Sequence, residues 1–577
     1  MPLTIQRISP GYLTDAYQEE RERLGAGEAV RKLYARQPSL WKGDAEHVRI
    51  IANRLGWIGV LDSMRAEVPA LQDLARGIDD SGVRDIVLLG MGGSSLAPEM
   101  FSLTFPPRSV RRFFVLDTTD PAAVRKVEGS IDLPHCLFIV SSKSGRTIET
   151  LSQFFYFQHR LNHAGIRPAG QRFLAITDRG SYLDRLADEY KFRMTFRNPP
   201  DIGGRYSALS YFGLVPAALW GVDIEAVLDS AIEMHAACAQ IEADANPALQ
   251  LASLLGAAAR RGDDKLFVLS TPKLVPLGNW IEQLIAESTG KEERGIVPLA
   301  GGVAPPIDVL ARGGMTAALF LDGDNKTELQ AILDLLEQRG GAFAEIQLRA
   351  PEQVGAEFFK WETATALAAA SLAIDPFDEP NVQESKENTA RILEEFESTG
   401  KIPVGSARLT DSGIEVYAEG SVRGVISTLQ LPAALRTFFS ERRADDYVAI
   451  LAYVHRDAAI AVELDALRAA LGERLNLPVL LGYGPRYLHS IGQLYKGGPP
   501  SGMFLMLTSE KSEDLSIPGA RYTFGQLQMA QALGDMQSLG RLGKPVLRLH
   551  LTEGALAGLR NLRRAVDHAL SASHSAD

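Results

Sequence analysis

Asp85-Ile-Val-Leu-Leu-Gly-Met-Gly-Gly-Ser-Ser-Leu96 reads as a short buried strand that breaks into a glycine- and serine-rich loop, with a helix predicted from Leu96. A second junction of the same kind follows at Leu137-Phe-Ile-Val-Ser-Ser-Lys-Ser-Gly-Arg-Thr-Ile-Glu-Thr150. Each loop leads into a helix N-terminus, where free backbone N–H groups and the positive end of the helix dipole favour an anion. Short side chains let that anion approach closely. The pair of loops therefore points to a small molecule that carries a phosphate.

Working outward, strand-like runs at Ile86–Leu89, Phe113–Leu116, Cys136–Val140 and Phe173–Ile176 alternate with stretches of helical period. This pattern predicts a parallel α/β domain, and in such sheets ligands sit at the carboxyl ends of the strands, where both loops fall. Residues before about 75 read as helices, and so does the chain between about 205 and 260. A second α/β block begins at Leu266-Phe-Val-Leu-Ser270 and continues through Ala317–Leu321, a helix over Lys326–Gln338, Ala344–Leu348 and a helix over Phe358–Ile374. A third has strands at Val448–Val454, Val479–Leu481, Met503–Leu507 and Val546–Leu551. The two later blocks share an outline that fits either an internal duplication or two unrelated α/β units. The expected division is a helical segment over 1–78, a first α/β domain with following helices over 79–260, a second over 261–440 and a third α/β block over 441–577. The small polar tail from Ser571 is expected to be disordered.

Composition narrows the function. The chain has 577 residues, 46% hydrophobic and 23% charged, with a formal net charge of −11. That balance belongs to a soluble globular protein and argues against a nucleic-acid or anionic-membrane binder, which needs a basic face. Cys136 and Cys238 stand far apart, which suits a reducing compartment. The N-terminal residues lack the apolar core of a signal peptide, and the longest apolar run, Tyr211–Val222, is short and contains Pro216. A cytoplasmic location is expected.

Several motifs carry candidate chemistry. Gly90-Met-Gly-Gly-Ser-Ser95 lacks the third glycine of a dinucleotide fingerprint, because Ser occupies position 95. Ser142-Lys-Ser-Gly-Arg-Thr147 offers three hydroxyls and two cations at a strand end, and suits a phosphate monoester better. Gly203-Gly-Arg205 brings backbone and a guanidinium close to a ligand. In Asn279-Trp-Ile-Glu-Gln-Leu-Ile-Ala-Glu-Ser-Thr-Gly-Lys291, Glu287 falls near a helix C-terminus, where the dipole disfavours a carboxylate and a raised pKa suits a general base. His489 lies in a turn after the strand Val479–Leu481. His159 and His163 are one helical turn apart with no carboxylate nearby and read as structural. No Cys/His cluster is present, so no metal is expected.

Taken in this order, the motifs resemble those of the glucose-6-phosphate isomerase family. Asp375-Pro-Phe-Asp-Glu-Pro-Asn-Val382 is similar to that family's Asn-Pro-Phe-Asp-Gln-Pro-Gly-Val segment. The likeness is closer still to the isomerase module of transaldolase–isomerase fusion proteins around Arg486-Tyr-Leu-His-Ser490 and Ala530-Gln-Ala-Leu-Gly-Asp535, and no barrel-like run of strands precedes Asp85. The resemblance implies two sugar-isomerase (SIS) type α/β domains with an additional α/β block and N-terminal helices. It implies reversible conversion of glucose 6-phosphate to fructose 6-phosphate without a cofactor, in a protein of a family that commonly forms homodimers. Carried over residue by residue, Ser142, Ser144 and Thr147 would hold the phosphate with help from Lys143. Gly93 and Ser94 would approach the sugar. His489 would open the ring, Glu287 would move the proton between C2 and C1, and Arg205 would stabilise the enediolate.

Two departures accompany the resemblance. His489 follows the Pro-Phe-Asp segment instead of preceding it, and an added block or a rearranged second domain would have to supply it. The family's ring-opening lysine, sought on the helix before Pro-Phe-Asp, matches Thr363, with Lys360 one turn earlier. Alternative readings are an isomerase that also takes mannose 6-phosphate, or a non-catalytic SIS-domain sensor of sugar phosphates.

Overall fold

The computed structural model describes residues 4–107, 111–301, 304–426, 430–511 and 513–571; the polar tail beyond Ser571 lies outside them. The chain opens with strand β1 (Ile5–Ser9), followed by helices that run to Asp80. Strands β2 (Asp85–Gly90), β3 (Arg112–Leu116), β4 (Cys136–Ser141), β5 (Phe173–Asp178) and β6 (Met194–Asn198) form a parallel sheet in the order β3-β2-β4-β5-β6. β2 and β4 are buried at every position, which is why they read as unbroken apolar runs. Ile86 and Leu88 face one core while Val87 and Leu89 face another, as the two-residue period of a strand requires.

The strand order places a switch point between β2 and β4. The connection leaving β2 goes to one side of the sheet, and β4 and the strands after it lie on the other. A crevice opens at their carboxyl ends, and the two loops read from the sequence are the ones that flank it.

Strands β7 (Lys265–Ser270), β8 (Val297–Ala300), β9 (Gly314–Leu321) and β10 (Ala342–Leu348) make the second sheet, in the order β8-β7-β9-β10, with β1 added antiparallel to β10. The third sheet contains β11 (Leu409–Asp411), β12 (Ile414–Glu419), β13 (Tyr447–Tyr453), β14 (Val479–Tyr483), β15 (Gly502–Ser509) and β16 (Val546–Leu551). Its parallel part runs β14-β13-β15-β16, with β12 antiparallel on β16. The second and third sheets thus repeat one topology, antiparallel edge included. The sheets also draw in strands from outside the predicted segments: β1 from the N-terminal stretch read as helical, and β11 and β12 from before residue 441.

The fold is an α/β arrangement of three layers. Leu88 and Ile139 of the first sheet share a core with Leu266 and Ala317 of the second, across the helices Val60–Asp80, Pro247–Arg260, Val275–Thr289 and Val354–Ser371. Phe267 and Phe320 of the second sheet pack with Leu451 and Met506 of the third. The Val354–Ser371 helix is buried on nearly every side, and its run of alanines lets neighbouring helices close in.

Candidate active site

Three loops meet at the switch-point crevice. Gly92 has φ +55°, a left-handed conformation that a side chain rarely adopts, and a Cβ there would lie 2.3 Å from the carbonyl oxygen of His489. A Cβ on Gly93 would lie 2.1 Å from the carbonyl oxygen of Gly204. The loop after β2 is therefore wedged between the Arg205 turn and the His489 turn, and only glycine fits there. Ser94 is mostly buried beside them.

The loop after β4 is organised by its own hydroxyls. Ser142 Oγ and Thr147 Oγ1 are 2.9 Å apart, the Gly145 N–H donates to Ser142 Oγ, and the Arg146 N–H donates to Ser144 Oγ. Helix Ile148–His163 starts at once behind them, so hydroxyls and helix N-terminus form one electropositive rim. Lys143 is turned away from this rim: its Nζ lies 2.6 Å from Asp178 Oδ2 and 2.8 Å from the Pro200 carbonyl.

Arg205 is buried and fully engaged. Its Nη1 lies 3.2 Å from Glu287 and 3.3 Å from Glu379. Nη2 donates to the carbonyls of Pro376 and Asp378, and Nε to Ser288 Oγ and Pro376. One guanidinium thereby joins the Gly204–Tyr206 turn, the end of helix Val275–Thr289 and the Pro-Phe-Asp segment. Glu287 stands in the last turn of that helix, as expected, but its carboxyl is raised chiefly by burial, with Glu379 adding to it and Arg205 opposing it. Removal from water is thus the leading cause of the raised carboxyl.

His489 comes from the third layer, in the turn Arg486–His489 after β14. Its Nε2 is 2.8 Å from Glu149 Oε1. Glu149, in the first turn of helix Ile148–His163, also accepts from Gln531 Nε2 at 2.6 Å, and Thr119 donates to Gln531 in turn. Burial works against the Glu149 charge, yet His489 and, more weakly, Lys386 hold the carboxyl below its ordinary value. An ionised Glu149 fixes a proton on Nε2 and leaves Nδ1 for exchange. Gln283 Nε2 donates both to Glu287 Oε2 and to the His489 carbonyl, at 3.1 Å and 2.8 Å, and so couples the two candidate catalytic groups. Arg486 anchors the same turn to the first layer through Glu99 and, at 2.6 Å, Asp117.

The structure thus gathers Gly93, Ser94, Arg205, Glu287 and His489 from three layers, with Ser142, Ser144 and Thr147 on the same crevice. Glu149, Gln283, Gln531 and Lys386 were not singled out from sequence. Gln283 had a signal, four residues before Glu287 on one helix face. Glu149 looked like any first-turn acid, which the dipole favours without a functional reason. Lys360 is buried against Glu357 at 2.8 Å, whereas Lys386, on the helix after Pro-Phe-Asp, is the lysine felt at Glu149. His47, Asp375 and Asp378 place ligand-type atoms within 4.8 Å of one another. The Lys291 ammonium, 2.6 Å from Asp378 Oδ1 and from the carbonyls of Asp375 and Asp378, already supplies a cation there.

The phosphoglucose isomerase family profile matches residues 58–296. A glucose-6-phosphate isomerase from Synechococcus elongatus is 30% identical over 384 residues, covering 57% of this chain and 71% of that protein. The chain belongs to the phosphoglucose isomerase family. A glucose-6-phosphate isomerase from Methanocaldococcus jannaschii is 31% identical over 220 residues, and the alignment spans about half of that relative, 54%. In three dimensions, a glucose-6-phosphate isomerase from Chlamydia trachomatis superposes with a TM-score of 0.52 at 20% identity, over 67% of this chain and 86% of that one, a likeness of fold. Arg205 and Glu287 fall inside the matched profile, and His489 falls beyond it. No described helix is long and apolar enough to cross a membrane.

Proposed function

We propose that this phosphoglucose isomerase family member interconverts glucose 6-phosphate and fructose 6-phosphate. The phosphate sits on the rim made by Ser142, Ser144, Thr147 and the helix N-terminus. The sugar lies over Gly93 and Ser94, towards the crevice floor. His489, oriented by Glu149, moves a proton from the C1 hydroxyl to the ring oxygen, and the ring opens. Glu287 then takes the proton from C2, the electron pair forms the C1–C2 double bond, and the negative charge on oxygen is met by Arg205. As the proton returns from Glu287 to C1, the O2 hydroxyl gives up its proton and O1 gains one, so that C2 becomes the carbonyl carbon and the ketose results. Arg205 keeps its charge throughout, so it suits the electrostatic role. A carboxylate raised by burial suits the shuttle, because it can both accept and release a proton near neutrality.

The observation that carries this reading is the buried contact of Glu287 with Arg205 at 3.2 Å, beside the Gly92–Gly93 loop that packs against the Gly204–Arg205 and His489 backbones. A sensor would need the anion rim but not the coupled base and cation. A coupled assay for fructose 6-phosphate tests it, run in parallel on mannose 6-phosphate to decide the breadth of the substrate range. Glu287→Gln is expected to lower turnover by several orders of magnitude and spare binding. Near-wild-type turnover in that variant removes Glu287 as the base.

The finer likeness, to the isomerase module of transaldolase fusion proteins, is supported by the meeting of its two motifs: Asp535 accepts from Tyr487 of the Arg486–His489 turn, and Gln531 donates to Glu149, the partner of His489. A homodimer is part of the same proposal, and light scattering of the purified chain tests it.

A further inference from the structure

Glu379 adds a negative charge that the proton shuttle does not use. Its side chain is half exposed (48%) at the edge of the site, and its Oε2 approaches the same guanidinium nitrogen that Glu287 approaches, at 3.3 Å against 3.2 Å. The family segment resembled by residues 375–382 has neutral groups at two positions where this chain has Asp375 and Glu379. Asp375 is almost completely buried, and its Oδ1 accepts from the Phe377 N–H within its own turn. Of the two added carboxylates, Glu379 is the one that touches Arg205 and reaches solvent.

We propose that Glu379 tunes the site: its carboxylate shares Nη1 of Arg205 with Glu287, weakens the hold of Arg205 on both the base and the enediolate, and so sets the pH below which activity is lost. The inference rests on the isomerase reading given above. Glu287 is faced by Arg205 from the Gly204–Tyr206 turn, by Glu379 from the Pro-Phe-Asp segment, and by Gln283 and Lys291 from its own helix and just beyond it. Arg205 is faced in addition by Asp378 and Tyr206. Within this set Glu379 is the negative group that raises the Glu287 carboxyl, and its exposed position makes it replaceable without opening a core.

The sign follows directly. With Glu379 neutral, the Glu287 carboxyl loses a like-charge neighbour and gains a larger share of Arg205. It then ionises at lower pH, and the acidic limb of kcat/KM moves down. Glu379→Gln is expected to displace that limb by about one pH unit and to lower KM for the anionic substrate several-fold, a typical size for removing one partly screened charge from such a cluster. Glu379→Asp keeps the charge and is expected to leave the limb within a few tenths of a unit. The substrate phosphate titrates in the same range with a second pKa of about 6, but equally in every variant, so the difference between profiles is diagnostic. The experiment is the pH profile of kcat and kcat/KM for the wild-type chain, both Glu379 variants and Glu287→Gln. An acidic limb in Glu379→Gln that coincides with wild type, or moves upward, overturns the proposal. Turnover retained by Glu287→Gln overturns the base assignment instead, so the two failures are distinguishable.

Discussion

Gly93→Ala puts the architecture of the crevice to a quantitative test. A Cβ built on Gly93 would stand 2.1 Å from the Gly204 carbonyl oxygen, 2.4 Å from its carbon and 3.0 Å from the Arg205 nitrogen. Real Cβ atoms essentially never come within 3.0 Å of such neighbours. The Gly204–Arg205 backbone must therefore withdraw by at least about 0.9 Å, since both sides of the contact are main chain and neither can rotate away. Overpacking of this kind costs about 1–3 kcal/mol of stability, which a 577-residue protein with extensive cores can absorb. Activity is more sensitive. Arg205 would be displaced against Glu287, and a shift of about 1 Å in a positioning group lowers the rate by roughly 10²-fold, or about 2.7 kcal/mol in the barrier. The assay is coupled formation of fructose 6-phosphate, with circular dichroism and thermal unfolding to establish that the variant is folded. A folded Gly93→Ala protein within about threefold of wild-type kcat/KM would refute the wedge argument, since ΔΔG‡ would then be only about 0.65 kcal/mol.

Three further outcomes are expected. Arg205→Ala should act mainly on kcat if, as proposed, the guanidinium meets charge that develops in the transition state; a rise in KM alone would mean uniform binding instead. Glu149→Gln removes the ionised partner of His489 and should lower kcat/KM by about 10- to 100-fold while altering the pH profile, and an unchanged profile would sever His489 from Glu149. Glu282, on the same helix as Glu287, is pushed up to about 7, first by burial, with Arg468 and Arg486 opposing it. A carboxyl raised on folding gives stability that is present below its unfolded value and lost as pH rises through about 7. Glu282→Gln should therefore raise the melting temperature at pH values above about 7 and leave it nearly unchanged below about 4.5, as measured by thermal unfolding across pH.

The sheet that carries the crevice was legible because β2 and β4 are buried on both faces, so that Ile86–Leu89 and Cys136–Val140 are continuous apolar runs. The edge strand β1 was not. Ile5–Ser9 is partly exposed and short, so its apolar pattern is faint, and only pairing with β10 makes it a strand. The stretch holding β11 and β12 read as mixed, with short strand signals and turns, and the pairing of β12 with β16 is what joins it to the third sheet. The loop hydroxyls were legible because loop composition reports close approach locally. The partner of Lys143 was not, since Asp178, which its ammonium meets, lies 35 residues away.

By itself, the sequence determined the α/β class, the two Gly/Ser-rich loops that run from strand ends into helix N-termini, and the residue types able to move a proton beside a cation. These follow from local rules: period, turn chemistry and helix-end electrostatics act over a few residues. Tertiary structure decided which of those groups meet. His489 is 202 residues from Glu287 along the chain, yet one Gln283 amide bonds to both. Glu149 becomes a histidine partner only because the first and third layers close on each other. Contacts of that separation depend on how layers stack and where chain crossings leave a crevice, and no local pattern encodes that.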